Sequence, residues 1–220
     1  MFGCGYDRRV SAEPGPGLLG RPLSDVLGAL ASPHELPGGG GPAAALTAAA
    51  AAALVAKVAR ASRPTWIEAG GAIAHAEALR MQTQALIERD AAAYHEASAV
   101  LALDERSARS GVASPAGTAA VPVGDRERIL DEALLQAADL ALAIADAASE
   151  IAHLAADVAR FCPKAMRPDA QTAVALAEAA ACASARLVAV NRKLTEDDPR
   201  RAAAAAAAQA ARAVRERAGC

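Results

Sequence analysis

Small apolar residues recur every three or four positions along most of this chain, a spacing that predicts α-helices rather than β-strands. The clearest case is the stretch 125–161, whose apolar positions are Ile129, Ala133, Ala137, Leu140, Ile144, Ala148, Ile151, Leu154 or Ala155, and Val158. Steps of three and four place these side chains on one face of a helix, where neighbouring helices can bury them. The opposite edge carries charged or polar residues seven positions apart, as expected of a surface that faces water.

Proline, glycine and capping residues divide the rest of the chain into further predicted helices. We place them at 25–31, 42–62, a stretch of about thirty-five residues ending near 103, 125–161, 169–194, and from Asp198-Pro199 onward. Residues 1–20 contain Gly, Pro and mixed charge without periodicity and predict a disordered leader. Residues 104–124 also lack periodicity and predict a mobile loop. That loop lies within a single predicted domain, 21–220.

The composition explains why helices are favoured so strongly. Hydrophobic residues make up 54% of the 220 residues but aromatic residues only 2%, so most of the apolar mass is alanine and small aliphatic side chains. Alanine has the highest helix propensity and a poor strand propensity. The chain is long enough to bury a core as one domain. We therefore predict an all-α fold, an antiparallel bundle of long Ala-rich helices joined by short turns.

Charge and cysteine content exclude several classes of protein. The formal net charge of −2 lacks the basic excess of a nucleic-acid binder. The four cysteines are scattered without the spacing of a zinc site, which favours reduced thiols and no bound metal. No apolar segment follows the charged N-terminus, and the Ala-rich run 43–59 is interrupted by Lys57, which favours a buried helix over a membrane span. We expect a cytoplasmic protein that binds neither nucleic acid nor membrane.

The segment with the most chemical information is a run of four glycines, 38–41, directly before the helix predicted from Pro42. Glycines let a ligand approach the backbone closely, and the free N–H groups of a helix N-terminus favour a negative charge. The Lys-Ser/Thr of a P-loop is missing, so a nucleotide-phosphate motif does not apply. His34 flanks the run and could move a proton. The alternative for this segment is a flexible turn with no ligand.

Three segments resemble, in order and spacing, the cyclodeaminase/cyclohydrolase family of folate enzymes, over about residues 22–196. The first is Glu35-Leu36-Pro37-Gly38-Gly39-Gly40 with an Ala-rich helix that ends Leu54-Val55-Ala56-Lys57-Val58-Ala59-Arg60. The second is Asp90-Ala-Ala-Ala-Tyr94. The third is Pro168-Asp169 with an Ala-rich helix that ends in Val190-Asn191.

The resemblance implies a cyclodeaminase-like bundle, usually a homodimer, that acts on a reduced folate as its small-molecule substrate. Cyclodeaminases close 5-formimino-tetrahydrofolate to 5,10-methenyl-tetrahydrofolate and release ammonia, and relatives hydrolyse the methenyl bridge. No cofactor beyond the tetrahydrofolate substrate is implied. Both reactions need a general acid and a general base within reach of the carbon that carries the nitrogens.

The matched segments supply the candidate site residues. We assign proton transfer to Asp90 and Asp169, and we assign contacts with the ligand to Gly38, Gly39, Gly40, Tyr94, Asn191 and His34. Each of the longer side chains has a structural alternative. Asp169 can favour a helix N-terminus through its charge alone, Asp90 and Tyr94 can be an exposed acid and a half-buried anchor, and Asn191 can be a buried amide at a helix contact.

Departures from the family pattern leave two rival functions open. If Gly41 is an insertion, Pro42 stands where the family has Ser or Thr, which removes a hydroxyl and an N–H group from the turn. One rival is therefore an enzyme with this fold that cyclises a non-folate substrate, or carries out imine chemistry on it, in specialised metabolism. The other is a helical scaffold without catalytic activity.

Overall fold

In the computed structural model of the protein, the described residues are 17–32, 39–110 and 123–219. Side chains are described over the same ranges except 94–110, 123, 124 and 126. The six α-helices are α1 (Leu23–Ala31), α2 (Gly40–Ser62), α3 (Ala69–Ser110), α4 (Val123–Phe161), α5 (Arg167–Ala189) and α6 (Pro199–Ala218). Because the described residues contain helices and turns but no strand, the all-α prediction is confirmed.

Three central helices hold the bundle together. Helix α2 packs against α3, α4 and α5, α5 packs against α2, α4 and α6, and α4 packs against all of α2, α3, α5 and α6. The faces that meet are lined mainly by alanine, which lets the helix axes approach closely. The largest fully buried aliphatic side chains are Leu140, Ile144, Ile151, Val55, Val58, Val158, Val174 and Val188. The predicted burial of small-residue faces is therefore confirmed.

Contacts between α2 and α5 show that these helices are antiparallel and define two ends of the bundle. Gly40, at the start of α2, lies against Leu187 near the end of α5. Lys57, near the end of α2, forms an ion pair with Asp169 at the start of α5. We call the first of these regions the glycine end and the second the opposite end.

By length and composition alone, two helices could cross a membrane, Gly40–Ser62 and the stretch Lys164–Ala189. In this structure, 61% and 44% of their most apolar windows are buried inside the bundle. Burial of this kind is also found for the core helices of soluble proteins. The expectation that the protein binds no membrane stays a prediction.

The N-terminal boundary of the domain differs from the prediction. Residues 18–20 form a 3₁₀ turn rather than the end of a disordered leader, and Leu18 is buried. The backbone N–H groups of Leu18 and Leu19 donate to the Glu88 carboxylate at 3.1 and 2.7 Å. This long-range contact has no local sequence signal. Residues 1–16 lie outside the described residues.

The predicted mobile loop, 104–124, includes residues at both of its ends that are helical in the structure. Helix α3 continues to Ser110, and α4 already begins at Val123, so only 111–122 lie outside the described residues. Residues 104–110 read Asp-Glu-Arg-Ser-Ala-Arg-Ser. They lack apolar periodicity, but their average helix propensity is sufficient to extend a helix that has already formed.

The end of α5 is decided by a side chain from another helix. The prediction placed this end at Leu194, but the helix ends at Ala189. The guanidinium of Arg201, in α6, donates to the carbonyl groups of Ala189, Asn191 and Leu194. These bonds supply partners to carbonyl groups at the end of α5 and in the turn after it, where the helix ladder no longer does so.

We expect Arg201→Ala to lower the free energy of unfolding by about 1–3 kcal/mol, because hydrogen bonds from a charged donor are lost. Urea denaturation followed by helical circular dichroism measures the change. The matched control is Arg192→Ala, since Arg192 is an exposed arginine in the same turn. An equal loss in both variants would show that Arg201 does not act as a cap.

Candidate active site at the glycine end

The start of α2 is enclosed by α3 on one side and by α5 on another. A Cβ atom at Gly41 would lie 2.6 Å from Cγ and Oδ1 of Asp90 and closer still to Oδ2. A Cβ atom at Gly40 would lie 2.9 Å from a methyl group of Leu187. Only glycine allows approaches this close, so Gly40 lets Leu187 pack on the start of α2, and Gly41 lets the Asp90 carboxyl group lie against its first turn.

The steric need for glycine does not extend to Gly39. This residue has φ −92° and ψ −73°, and no atom of the described residues lies within 4 Å of the place that its Cβ would occupy. A side chain there would therefore clash with none of them. Its assignment to ligand binding stays a prediction, and any such role depends on its backbone. Gly38 lies outside the described residues.

The Asp90 carboxyl group is suited to proton transfer near neutral pH. Burial raises its pKa from 3.8 to about 6, because the charged form loses hydration. Among the described residues, no hydrogen-bond donor reaches this carboxyl group. A carboxyl group with a pKa near the working pH can accept a proton in one step and return it in the next.

The N-terminus of α2 supplies the second polar element of the site. Within the described part of the chain, no side chain caps the N–H groups of its first turn. Such groups favour a carbonyl oxygen or an anion of a ligand. A free helix N-terminus and a protonatable carboxyl group therefore lie side by side at the glycine end.

Pro42 has a packing role in this turn. Its ring is buried and lines an apolar cavity of about 140 Å³ with Leu18, Val26, Leu46 and Ile87. It therefore attaches α1 and the 3₁₀ turn to α2. Since proline has no N–H group, one of the four free donors of the helix N-terminus is missing here.

The other three predicted ligand contacts, Asn191, Tyr94 and His34, differ in how much of each the structure describes. Asn191 lies at the glycine end, but its amide donates to the Leu134 carbonyl at 2.6 Å and its Oδ1 accepts from the Lys193 N–H at 3.0 Å. These bonds tie the turn after α5 to α4, which is the structural alternative stated above. Tyr94 lies one helical turn after Asp90 on α3, and nothing is described of its side chain. His34 lies outside the described residues.

Asp169 is not near Asp90 within one chain. Its carboxylate pairs with the Lys57 ammonium at 2.6 Å, at the opposite end of the bundle. Lys57 lies sixteen residues beyond Gly41, about 24 Å along α2 at 1.5 Å per residue. The sequence pattern placed both carboxylates in one site, but the antiparallel arrangement of α2 and α5 separates them.

Gly41 is not among the predicted site residues, and the sequence leaves open that it is an insertion in the glycine run. The structure makes it the glycine that contacts Asp90. The available signal was the length of the run, one glycine more than the family pattern. The length of the run does not indicate that Asp90 on α3 is the residue that Gly41 contacts. The described residues contain no cluster of His, Cys, Asp or Glu that could hold a metal ion.

The fold and the site define a class of protein, an all-α antiparallel bundle with a carboxyl group of raised pKa beside a helix N-terminus that no described side chain caps. The model of the formiminotransferase-cyclodeaminase family matches residues 22–211, so the chain belongs to that family. The structure is similar to the crystal structure of formiminotetrahydrofolate cyclodeaminase from Thermotoga maritima, with a TM-score of 0.67 and 20% identity over 91% of this chain and 93% of that one. That likeness shows the fold. No curated protein matches the sequence.

Proposed function

We propose that the protein is a folate one-carbon enzyme that forms or breaks a C–N bond at a reduced folate. The favoured reaction is the closure of 5-formimino-tetrahydrofolate to 5,10-methenyl-tetrahydrofolate with release of ammonia, and the finer alternative is hydrolysis of the methenyl bridge. Family membership supports this proposal. The observation that carries it is the Asp90 carboxyl group, with its raised pKa, against the free N-terminus of α2.

One carboxyl group is sufficient for the proton transfers of the closure. N10 of the folate attacks the carbon of the protonated formimino group, which forms the new C–N bond. The Asp90 carboxylate takes the proton from N10 and then gives it to the amino group on the same carbon. The C–N bond to that amino group breaks, ammonia leaves, and the methenyl cation remains. A pKa of about 6 makes both protonation states of Asp90 accessible near neutral pH.

The assay that tests the proposal uses the full chain with each folate in turn. We expect the near-ultraviolet absorbance to rise as 5-formimino-tetrahydrofolate is closed, or to fall as the methenyl form is hydrolysed. Release of ammonia, measured separately, distinguishes the closure from a simple binding signal. If the folded protein has no activity on either compound, the proposal is wrong.

We propose a structural role for Asp169 in place of the catalytic one. Its ion pair with Lys57 is largely exposed, with 35% and 58% of the two side chains accessible, and such pairs contribute about 0–1 kcal/mol. Asp169→Asn is therefore expected to keep the folate activity within about threefold, well below the 10²–10⁴-fold of a lost general acid or base. A loss of that larger size would restore the catalytic assignment and would require a second chain to bring Asp169 to the glycine end.

One observation favours the rival function of a non-folate substrate. Pro42 removes an N–H donor from the first turn of α2, and its ring lines an apolar cavity. An enzyme of this fold that cyclises another amine, or carries out imine chemistry in specialised metabolism, would show no activity in the folate assay while Asp90 keeps its role. The scaffold alternative, the homodimer and the cytoplasmic location stay predictions.

A further inference from the structure

A second cavity, of about 530 Å³, lies at the opposite end of the bundle. It is formed by the last turns of α4, the first turns of α5 and the last turns of α6. Its apolar wall includes Val174 and Val214, which are buried. Three exposed arginines also line it, one from each helix: Arg160, Arg167 and Arg217. We call this cavity the arginine cleft.

The charges of the arginine cleft are not balanced by its own residues. Its three arginines are opposed by one carboxylate, Asp157. None of the three forms a salt bridge or a hydrogen bond with the described part of the chain, although Arg60 and Arg200 elsewhere on the bundle do. Three positive charges that line one cleft repel one another, and an anion bound among them lowers that repulsion.

Packing positions one of these arginines. The guanidinium carbon of Arg160 lies 5.8 Å from the centre of the Phe161 ring, and that ring stacks on Trp66 with centroids 5.0 Å apart. This cation–π contact restricts the side chain without neutralising its charge. Gln171 adds an amide that can donate or accept on the same wall.

We propose that the arginine cleft binds an organic anion that carries two or more carboxylate or phosphate groups on a small apolar body. Arginine binds both kinds of group in a bidentate manner, and the valines and alanines between the arginines suit the apolar part. The volume lies within the range of small-molecule sites. The cleft is separate from the glycine end, because Arg167 and Leu187 are about 30 Å apart along α5 at 1.5 Å per residue.

Calorimetric titration of the full chain at low salt tests this proposal, with citrate and benzene-1,3,5-tricarboxylate as carboxylate probes and pyrophosphate as the phosphate probe. We expect at least one probe to bind with a dissociation constant of millimolar order or tighter, and added salt to weaken it. Stronger binding of the aromatic carboxylate than of citrate would show that the apolar wall contributes to binding. Stronger binding of pyrophosphate than of both carboxylates would show that the cleft prefers phosphate groups.

Two variants locate the binding site. Arg160→Gln and Arg217→Gln should each weaken binding about tenfold or more, because each loses a charge-assisted contact. The matched control, Arg186→Gln, removes the same charge from an exposed position of α5 outside the cleft and should bind as the original chain does. Absence of binding by all three probes at millimolar concentration would overturn the proposal. Unchanged binding by both cleft variants would overturn it as well.

Discussion

The Asp90→Asn variant is expected to lose about 10²–10⁴-fold in rate on the reduced folate while its fold becomes more stable at neutral pH. Asparagine keeps the size of the side chain but cannot take the proton from N10. It also removes a carboxylate that burial makes costly to ionise, as the rise of its pKa to about 6 indicates. A residue that served the fold alone would not combine a loss of rate with a gain in stability.

The pH dependence of the free energy of unfolding is a second measurement on the Asp90→Asn variant. The pKa of Asp90 is 3.8 in the unfolded chain and about 6 in the folded one, so the folded state holds its proton more tightly. The stabilisation of the folded state by the Asp90 proton is complete below pH 3.8 and is lost as the pH rises through 6. Each pKa unit corresponds to about 1.4 kcal/mol, which solvent screening of this half-buried group reduces to about 1–3 kcal/mol in total.

Denaturation at several pH values, with the folate assay at the same values, measures both effects. Asp90→Asn should remove this component of the pH dependence and be the more stable protein above pH 6. The matched control is Asp146→Asn: Asp146 lies on an exposed position of α4, and its pKa is also raised, by partial loss of hydration beside the helix surface. The control should keep its rate. An Asp90→Asn variant with full rate would end the assignment of Asp90 as the proton-transfer group.

Gly41→Ala is the second change with a large expected effect, about 1–3 kcal/mol lost from the free energy of unfolding together with most of the activity. The added methyl group would overlap the Asp90 carboxyl group, whose Cγ lies 2.6 Å from the Cβ position. Either α3 must move away from α2 or the carboxyl group must leave the helix N-terminus. Both outcomes separate the two polar elements of the site.

A double-variant cycle shows whether this contact is the cause. In the Asp90→Ala background the carboxyl group is absent, so Gly41→Ala should destabilise the protein far less than it does alone. Gly39→Ala is the control within the same glycine run, because open space surrounds its Cβ position, and it should change stability by less than about 1 kcal/mol. Equal losses from Gly41→Ala in both backgrounds would contradict the proposed contact.

Helix existence and several helix ends follow from local sequence. The stripe along 125–161 corresponds to α4 within two residues at its start, because periodicity and alanine propensity act in the same direction there. The predicted cap of α6 is also present, since the Asp198 side chain accepts from the Arg200 N–H at 3.0 Å. These features depend on residues within a few positions of one another, which is the range over which propensity and capping act.

The candidate site was only partly accessible from the sequence. The motif Asp90 to Tyr94 made Asp90 a candidate for proton transfer, but the raised pKa of Asp90 depends on burial by other parts of the fold. Asp169 matched the family pattern equally well, yet its place at the other end of α5 puts it beside Lys57. A sequence pattern orders residues along the chain, whereas the direction of each helix in the bundle decides which of them meet.

Sequence alone thus determined that this chain forms long Ala-rich helices and that a glycine run precedes one of them. Tertiary structure decided that α5 ends at Ala189, whose carbonyl group accepts a hydrogen bond from Arg201 of α6. It also decided that Gly41 contacts Asp90. It also brought the three arginines of the cleft together from three helices. The reason is physical: local propensity acts over about one helical turn, whereas these contacts join residues far apart in the chain through the packing of helices.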